Sequence, residues 1–329
     1  MKALITGGAG FIGSHLAELL LESGHGVIVL DDLSTGAVDN IAHLLGREGM
    51  EHRVGSITDA ALIGELVERS DVVVHLAAAV GVRLIVERPV HTIETNVHGT
   101  EVVLGAVART GKRILLASTS EVYGKSGQVP FSEGDDLVLG PTTHARWSYA
   151  CSKALDEWLA LAYHRDNDVP VTIVRLFNTV GPRQTGRYGM VLPSFAAQAL
   201  AGEPITVYGS GDQSRCFAHV RDVVHAIAAL LETPAAVGEV FNIGSDREVT
   251  INRLAEIVRD AAGSSSPIVH IPYAEAYAAG FEDMQRRVPD VRKLERVLGF
   301  RPTTSLEEIV SDVVDHERAA LAAEASGGA

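Results

Sequence analysis

Thr6-Gly-Gly-Ala-Gly-Phe-Ile-Gly13 is the stretch of this sequence that decides the fold. It follows a short apolar run and opens an amphipathic one, as a turn between a buried strand and a helix would. Gly7 can make the tight turn, Gly10 lets the backbone approach a pyrophosphate, and Gly13 lets the helix pack closely on the strand. The free N–H groups at the start of that helix favour phosphate. The pattern therefore predicts a dinucleotide-binding α/β unit.

An acidic pair follows at the distance where such a unit holds the adenosine ribose. The next apolar run, residues 27–30, ends in Asp31 and Asp32. A carboxylate at this point hydrogen-bonds the ribose hydroxyl and would repel the 2′-phosphate of NADP. The sequence therefore predicts NAD as the cofactor.

Tyr149-Ala-Cys-Ser-Lys153 adds chemistry to the nucleotide site. Residues four apart lie one helical turn apart on the same face, so the two side chains should be neighbours. An ammonium group beside a phenol favours the phenolate and lowers the phenol's pKa from its reference value of about 10. Tyr149 is thus predicted to accept a proton near neutral pH, with Lys153 tuning it.

Short runs of Val, Ile and Leu alternate with helical patterns, which is typical of a parallel sheet covered on both faces. We predict an α/β fold, a doubly wound parallel Rossmann sheet with a smaller, interleaved C-terminal substrate lobe. The predicted strands are 2–6, 26–31, 52–55, 72–75, 113–118, 171–177 and 239–243. The predicted helices between them include 14–23, 61–69, 89–109 and 149–165.

The domain organisation follows from where this alternation becomes irregular. The NAD-binding domain is expected at residues 1–180, with 215–245 returning to its sheet. Proline punctuates the chain beyond residue 181, so the substrate lobe is expected at 181–214 and 246–315. Residues 316–329, rich in Ala and Gly, are expected to form a frayed tail.

Composition excludes several classes of function. The net charge of −14 over 329 residues argues against a nucleic-acid or anionic-membrane partner. Cys151 and Cys216 have no metal-like spacing, so no metal site and a reducing cytoplasm are expected. There is no run of eighteen apolar residues, so we expect a soluble protein.

The two motifs together resemble the extended short-chain dehydrogenase/reductase superfamily, in its nucleotide-sugar epimerase, dehydratase and decarboxylase branch. Further matches lie at residues 71–78, 96, 118–124, 175–183 and 215–222, and the resemblance covers residues 1 to about 315. It implies tightly retained NAD and a homodimer built from the helices at 89–109 and 149–165. The cofactor-binding residues that it and the motifs imply are Gly7, Gly10, Phe11, Ile12, Asp31, Asp32, Ser34, Thr35, Gly36, Ser56, Ile57, Leu76, Ala77, Ala78, Asn96, Tyr149 and Lys153.

The catalytic residues implied by the resemblance are Thr119, Tyr149, Lys153 and Glu121. The Thr119 hydroxyl would meet the sugar O4 and share its proton with Tyr149. Glu121 separates the branches, because UDP-galactose 4-epimerases have a small neutral residue there and hexose 4,6-dehydratases an Asp-Glu pair. Ser120-Glu121 lacks that Asp, which disfavours a dehydratase, and is the pair that UDP-glucuronate decarboxylases carry.

Several arginines point to an anionic substrate. Arg215 and Arg287 match family positions that clamp the substrate diphosphate, and the guanidinium fork suits phosphate. Arg183 and Arg187 lie in a loop that faces the sugar in relatives, so they predict a negatively charged sugar, a UDP-hexuronate. The substrate-binding residues implied are Thr119, Ser120, Asn178, Arg187, Val191, Val207, Tyr208, Arg215 and Arg287, with Val207 and Tyr208 lining the uracil.

The resemblance implies oxidation of the sugar at C4, in which Tyr149 takes the 4-hydroxyl proton and NAD the hydride. In a hexuronate the 4-keto sugar is a β-keto acid, which loses carbon dioxide readily. The function we predict first is a UDP-glucuronate 4-epimerase, indicated by residues 75–83 and the arginine loop, which must protect the carboxylate. A UDP-glucuronate decarboxylase, favoured by Ser120-Glu121 and Arg286-Arg287, lets the bond break, with Glu121 or Arg287 assisting. The third hypothesis is a non-catalytic dinucleotide-binding protein, but such proteins typically lose the Tyr or the Lys.

Overall fold

A fully parallel sheet of seven strands forms the centre of the protein. The computed structural model describes residues 1–80, 88–186, 190–276 and 284–327. The strands in these ranges are β1 Lys2–Thr6, β2 Gly26–Asp31, β3 Met50–Val54, β4 Val72–His75, β5 Arg113–Thr119, β6 Val171–Leu176, β7 Thr179–Val180, β8 Ile205–Tyr208, β9 Ser214–Cys216, β10 Ala218–His219, β11 Glu239–Ile243, β12 Glu248–Thr250, β13 Ile268–Ile271 and β14 Arg286–Arg287. The order in the central sheet is β11-β6-β5-β4-β1-β2-β3, so the winding direction reverses between β1 and β4. Ligands of such sheets bind at that switch point, beyond the carboxyl ends of the strands.

Helices cover both faces of the sheet. They are α1 Phe11–Glu22, α2 Ala60–Glu68, α3 Pro89–Thr110, α4 Arg146–Asn167, α5 Val191–Ala201, α6 Val220–Glu232, α7 Ile251–Ala262, α8 Tyr273–Ala276, α9 Arg292–Leu298 and α10 Leu306–Gly327. Short 3-10 turns cover Val38–Leu44, Ser120–Tyr123 and Pro234–Ala236.

Neighbouring residues of the central strands point to opposite, equally apolar faces. Ala3 and Ile5 of β1 lie in one core with residues of α1 and α6. Leu4 lies in a second core with residues of α2, α3 and α4. Burial on both faces explains why these strands are continuous apolar runs rather than alternating ones. The predicted doubly wound α/β sheet is confirmed.

The chain after β6 is shared between this sheet and a smaller lobe. Strand β11 returns to the central sheet and pairs with β6. Strand β8 pairs with β13, and β9 lies between β12 and β14. Residues of α5, α7 and α10 form a third apolar core with residues of β8 and β12. The smaller lobe is therefore interleaved with the sheet, as predicted.

Some elements end at different residues from those predicted. Helix α1 begins at Phe11, directly after its N-cap Gly10, and not at residue 14. Helix α4 begins at Arg146 and not at 149, which places Arg146 on the helix of the Tyr-Lys pair. Helix α10 continues to Gly327, so the segment expected to fray from residue 316 is helical over most of its length.

Among the residues that the structure describes, no helix is both long enough and apolar enough to cross a membrane. No group of three or more His, Cys, Asp or Glu side chains among them is arranged to hold a metal ion.

Candidate active site

The glycine loop packs tightly on one side and is open on the other. Gly7 has a positive φ of 71°, and a Cβ there would lie 2.8 Å from the backbone N of Ala77. A Cβ on Gly13 would lie 2.7 Å from Gly8 Cα. A Cβ on Gly10 would approach one described atom, the Gly7 carbonyl O at 3.1 Å. The loop is therefore a cradle whose open side lies at Gly10.

Helix α1 begins at that open side. Phe11 and Ile12 form its first turn, where backbone N–H groups have no acceptor within the helix. Such N–H groups bind phosphate, so the cradle fits the pyrophosphate of a dinucleotide.

Asp31 ties the glycine loop to the turn that follows β2. Its carboxylate accepts hydrogen bonds from Ala9 N at 3.0 Å and from Leu33 N at 2.9 Å. Burial raises the pKa of this carboxyl, and Asp32 adds to that effect. A Cβ on Gly36 would lie 2.8 Å from Asp31 Oδ1, so the turn closes directly over the carboxylate.

The rest of the predicted ribose site lies in the same turn. Asp32 is exposed and accepts hydrogen bonds from the backbone N and the hydroxyl of Ser34, at 3.0 and 2.6 Å. Thr35 is half-buried between Ser34 and Gly36. The structure therefore brings the predicted acidic pair and its neighbours together at the carboxyl end of β2.

The residues predicted to meet adenine differ in exposure. Ser56 is half-buried, and its hydroxyl lies 2.8 Å from that of Thr58. Ile57 is 6% exposed and belongs to the core between the sheet and α3. A Cβ on Gly99 would lie 2.7 Å from Ile57 Cγ1, so this side chain is packed firmly on the helix.

The segment after β4 runs between the glycine loop and the helix of the Tyr-Lys pair. Leu76, Ala77 and Ala78 are half-buried there. Asn96 braces the end of this segment, since its Oδ1 accepts from Ala79 N at 2.8 Å. Its Nδ2 donates to Ser152 Oγ at 3.2 Å, which links the segment to α4.

Tyr149 is buried on α4 and its phenol is hydrogen-bonded to the Thr119 side chain. The pKa of Tyr149 is raised, first by burial and then by the Glu121 carboxylate. The bond to Thr119 and the charge of Arg287 act in the opposite direction. The expectation of a phenol tuned downward is therefore wrong for the protein alone.

Lys153 is engaged by a second carboxylate. Its ammonium donates to Asp156 Oδ2 at 2.8 Å, and both side chains are at most 3% exposed. Asp156 also raises the pKa of Tyr149. No motif in the sequence singles out Asp156.

A buried polar chain continues from this ion pair toward β1. Thr100 is hydrogen-bonded to Asp156 and lies 3.1 Å from His75 Nε2. His75 Nδ1 lies 2.7 Å from the hydroxyl of Thr6, at the start of the glycine loop. Burial lowers the pKa of His75 to about 3, so this imidazole is neutral. The chain joins the nucleotide loop to the Tyr-Lys pair through uncharged groups.

Glu121 is held between two arginines beside Tyr149. Arg146 Nη2 donates to Glu121 Oε2 at 3.2 Å, and Arg287 pairs with Oε1. Arg287 also donates to Asn178 Oδ1 at 3.0 Å. The backbone N of Glu121 donates to Thr119 Oγ1 at 3.2 Å, so the carboxylate is one turn from the Tyr149–Thr119 pair. Arg146 lies outside the motifs that the sequence offers.

The substrate-binding residues predicted beyond β6 fall into two groups. Arg215 and Arg287 are paired in register on β9 and β14, and both are largely buried. Asn178 Nδ2 donates to Cys216 O at 2.9 Å, which joins the end of β6 to the same strands. The structure therefore gathers Asn178, Arg215, Arg287 and Glu121 into one cluster. Ser120, the residue before Glu121, is 2% exposed.

The residues predicted to line the uracil differ in how far they are exposed. Val207 is completely buried in the core of the smaller lobe, so its side chain is unable to line a ligand, which corrects that prediction. Tyr208, its neighbour on β8, is 41% exposed. Val191 is half-buried and forms the first residue of α5.

Arg183 is not available to the sugar. Its guanidinium pairs with Glu18 and lies 3.4 Å from Ser14 Oγ, both on α1. Arg187 and the end of segment 75–83 lie outside the described residues. A negatively charged sugar would therefore have to be met by the cluster around Glu121, and not by Arg183.

The chain is similar to known enzymes that act on nucleotide sugars. The family model described as GDP-mannose 4,6 dehydratase matches residues 4–313. The UDP-N-acetyl-alpha-D-glucosaminuronate decarboxylase of Bacillus cytotoxicus is 44% identical over 95% of this chain and 96% of its own length. UDP-glucuronic acid decarboxylase 1 of Xenopus tropicalis is 37% identical over 97% of this chain and 73% of its own length.

Among solved structures, two enzymes of different names share the fold equally well. UDP-glucose 4-epimerase of Thermotoga maritima superimposes with a TM-score of 0.87, at 32% identity over 98% of this chain and 100% of its own. The dTDP-glucose 4,6-dehydratase of Streptomyces venezuelae, solved with NAD, gives the same TM-score and identity over 97% of each chain.

Proposed function

This chain belongs to the GDP-mannose 4,6 dehydratase family, and from that premise we propose that it decarboxylates a UDP-hexuronate. The observation that carries the proposal is the Arg146–Glu121–Arg287 cluster beside Tyr149. Two arginines that already bind the Glu121 carboxylate suit a site that must accommodate a second carboxylate, that of a hexuronate. The relatives that bear decarboxylase names support this reading. The 4-epimerase predicted first from the sequence rested on residues 75–83 and the arginine loop, and Arg183 of that loop is bound to α1.

The enzyme is NAD-dependent, and its residues fit that cofactor. The cradle at Gly10 with the first turn of α1 would hold the pyrophosphate, and the turn around Asp31 and Asp32 the adenosine ribose. Lys153 would reach the nicotinamide ribose. When bound, NAD would supply a reversible hydride acceptor for C4 of the sugar and a positive charge near Tyr149.

The proton of the sugar 4-hydroxyl would be transferred at the Tyr149–Thr119 pair. The two side chains are already hydrogen-bonded to each other, so a hydroxyl placed between them can pass its proton to the phenolate. Because burial and Glu121 raise the pKa of Tyr149, ionisation of the phenol depends on positive charge arriving in the site.

Glu121 and Arg287 would act once the sugar carries a ketone at C4. The carboxylate at C5 is then β to a carbonyl, so the bond to it can break and its electrons pass to the C4 oxygen. Glu121 would disfavour the bound carboxylate by like charge, and Arg287 or Glu121 would assist protonation at C5. Tyr149 and Thr119 would stabilise the charge that develops on the C4 oxygen.

The smaller lobe, residues 181–214 and 246–315, would bind the UDP. We assign the diphosphate to Arg215, which lies on β9 at the border of that lobe, and the carboxylate end of the sugar to Arg287, its neighbour on β14 beside Glu121. The exposed face of Tyr208 would contact the uracil. The active form would be a homodimer formed through α3 and α4.

The deciding experiment is to incubate the NAD-loaded enzyme with UDP-glucuronate and with its 2-acetamido analogue. Products are followed by proton NMR and mass spectrometry. Loss of carbon dioxide from one of them is expected, and the substrate with the higher kcat/KM identifies the hexuronate. A new anomeric signal at unchanged mass would overturn the proposal in favour of 4-epimerisation. Tyr149→Phe is the control, which should abolish either turnover and so tie the products to this site.

A further inference from the structure

We propose that Arg146 is a positioning residue that keeps Glu121 in place while Arg287 interacts with the substrate. The inference rests on the proposed function, because it concerns how the same site accommodates an anionic sugar. It assigns a role to a side chain outside the Tyr-x-x-x-Lys pair but on the same helix.

Arg146 is placed to hold Glu121 from the side of the nucleotide domain. It is the first residue of α4, and it lies three positions before Tyr149, on the same helix face. Its Nη2 lies 3.2 Å from Glu121 Oε2, and its side chain is 9% exposed. The guanidinium also lies 5.6 Å from the ring centroid of Trp147, a contact that fixes its plane.

Arg287 holds the other carboxylate oxygen from the side of the smaller lobe. It lies on β14 in register with Arg215 of β9, and it also bonds Asn178. A substrate that carries a diphosphate and a carboxylate must come close to these arginines. The ion pair of Arg287 with Glu121 is therefore the one that the substrate competes for.

Glu121 needs a second cation when that competition occurs. Its side chain is 19% exposed, so water compensates little of its charge. Without Arg146 the carboxylate would face an anionic substrate while Arg287 is drawn away, and like charge would push it out of the site. With Arg146 it stays fixed relative to Thr119 and Tyr149.

Arg146→Met and Arg146→Lys test this inference in the NAD-loaded enzyme. Arg146→Met removes the charge at similar length, and kcat for decarboxylation should fall on the order of 10²-fold, as expected when a reacting group is misplaced by about 1 Å. KM should change much less, because Arg146 does not bind the substrate. Arg146→Lys should restore part of kcat. Arg165→Met, at the exposed end of α4, is the matched control and should leave kcat unchanged.

A double-mutant cycle with Glu121→Gln separates positioning from a general structural effect. If Arg146 acts through Glu121, Arg146→Met should cost almost nothing further in the Glu121→Gln background. An equal loss in both backgrounds, or an unchanged kcat in Arg146→Met alone, would overturn the inference. If the wild-type enzyme releases no carbon dioxide, the proposed function fails. The cycle is then run on reduction of bound NAD by the sugar, which an epimerase also performs.

Discussion

The phenol of Tyr149 lies in a setting that disfavours its ionised form. Burial is the largest cause, and the carboxylates of Glu121 and Asp156 add to it. Lys153, which the motif predicts as the tuning group, donates to Asp156 instead. The Tyr-x-x-x-Lys pair therefore identifies the two side chains, whereas their surroundings decide the protonation state.

Glu121→Gln should lower the pKa of Tyr149. It removes a negative charge near the phenol and leaves the nearby Arg287 without its carboxylate partner, and both changes favour the phenolate. Because Tyr149 acts as a base, the rising limb of the rate of NAD reduction against pH should shift to lower pH. Single-turnover measurement of NADH formation across a pH series checks this. A limb that stays in place or shifts to higher pH would show that Glu121 does not control the phenol.

Asp156→Ala should destabilise the protein strongly. The variant leaves Lys153 as an uncompensated charge in a site where both side chains are almost fully buried. Breaking a buried pair in this way costs about 3–5 kcal/mol of the free energy of unfolding. Denaturant unfolding of the variant measures the loss.

The matched control is Asp166→Ala on the same helix. Asp166 pairs with Arg165 on the surface, where the two side chains are 61% and 75% exposed. An exposed pair contributes about 0–1 kcal/mol, so this variant should unfold close to the wild type. Similar losses of unfolding free energy in the two variants would mean that water screens the Lys153–Asp156 pair as it screens an exposed one.

At the scale of elements, the loop between β1 and α1 depends on backbone contact. Gly13→Ala should destabilise the loop and abolish NAD binding, because its Cβ would lie 2.7 Å from Gly8 Cα and closer still to Gly7 O. Gly64→Ala in α2 is the control, since its Cβ would meet its nearest neighbour, Arg109 Nη2, at 3.8 Å. That variant should gain about 0.5–1 kcal/mol from helix propensity. Titration with NAD and thermal unfolding measure both, and a Gly13→Ala protein that binds NAD normally would contradict the prediction.

The sequence predicted the central strands better than the residues that set the electrostatics. Strands β1, β2, β4 and β11 have the predicted bounds, because continuous apolar runs between polar ends leave little choice of register. Strand β3 starts two residues earlier than predicted, since Met50–Val54 is a half-buried edge strand with mixed polarity.

The partners of Glu121 could not be predicted in the same way. Arg146 and Arg287 lie 25 and 166 residues from it along the chain. Arg146 lies one helical turn before Tyr149, at which the Tyr-x-x-x-Lys motif begins. That position on the same helix face is the indication of its role that the sequence contains. Asp156 lies three residues after Lys153, where a helical salt bridge is a readable pattern, but sequence spacing does not reveal that the pair is buried.

At the scale of the whole molecule, the two lobes contribute opposite sides of one cluster. The nucleotide domain supplies Tyr149, Glu121 and Arg146, the smaller lobe supplies Arg287, and Arg215 lies where the two meet on β9. The net charge of −14 does not attract an anionic substrate, so these local arginines must do so. Any change that moves β14 relative to α4 should therefore affect turnover through the Glu121 ion pairs.

The outer faces of α3 and α4 expose an apolar patch that a monomer would leave in water. Val90 and Trp158 are 66% and 61% exposed, and Ile93 and Leu155 are each 44% exposed. Helices α3 and α4 pack side by side, so two copies related by a two-fold axis could bury these side chains in a four-helix bundle. We propose that such a bundle forms a homodimer and expect Trp158→Glu to give a monomer, because it would bury a charge against an apolar surface. Light scattering of the wild type and variant measures the mass directly, with Val54→Glu on β3 as the equally exposed control, which should remain a dimer. A wild-type monomer, or a Trp158→Glu dimer, would place the interface elsewhere or remove it.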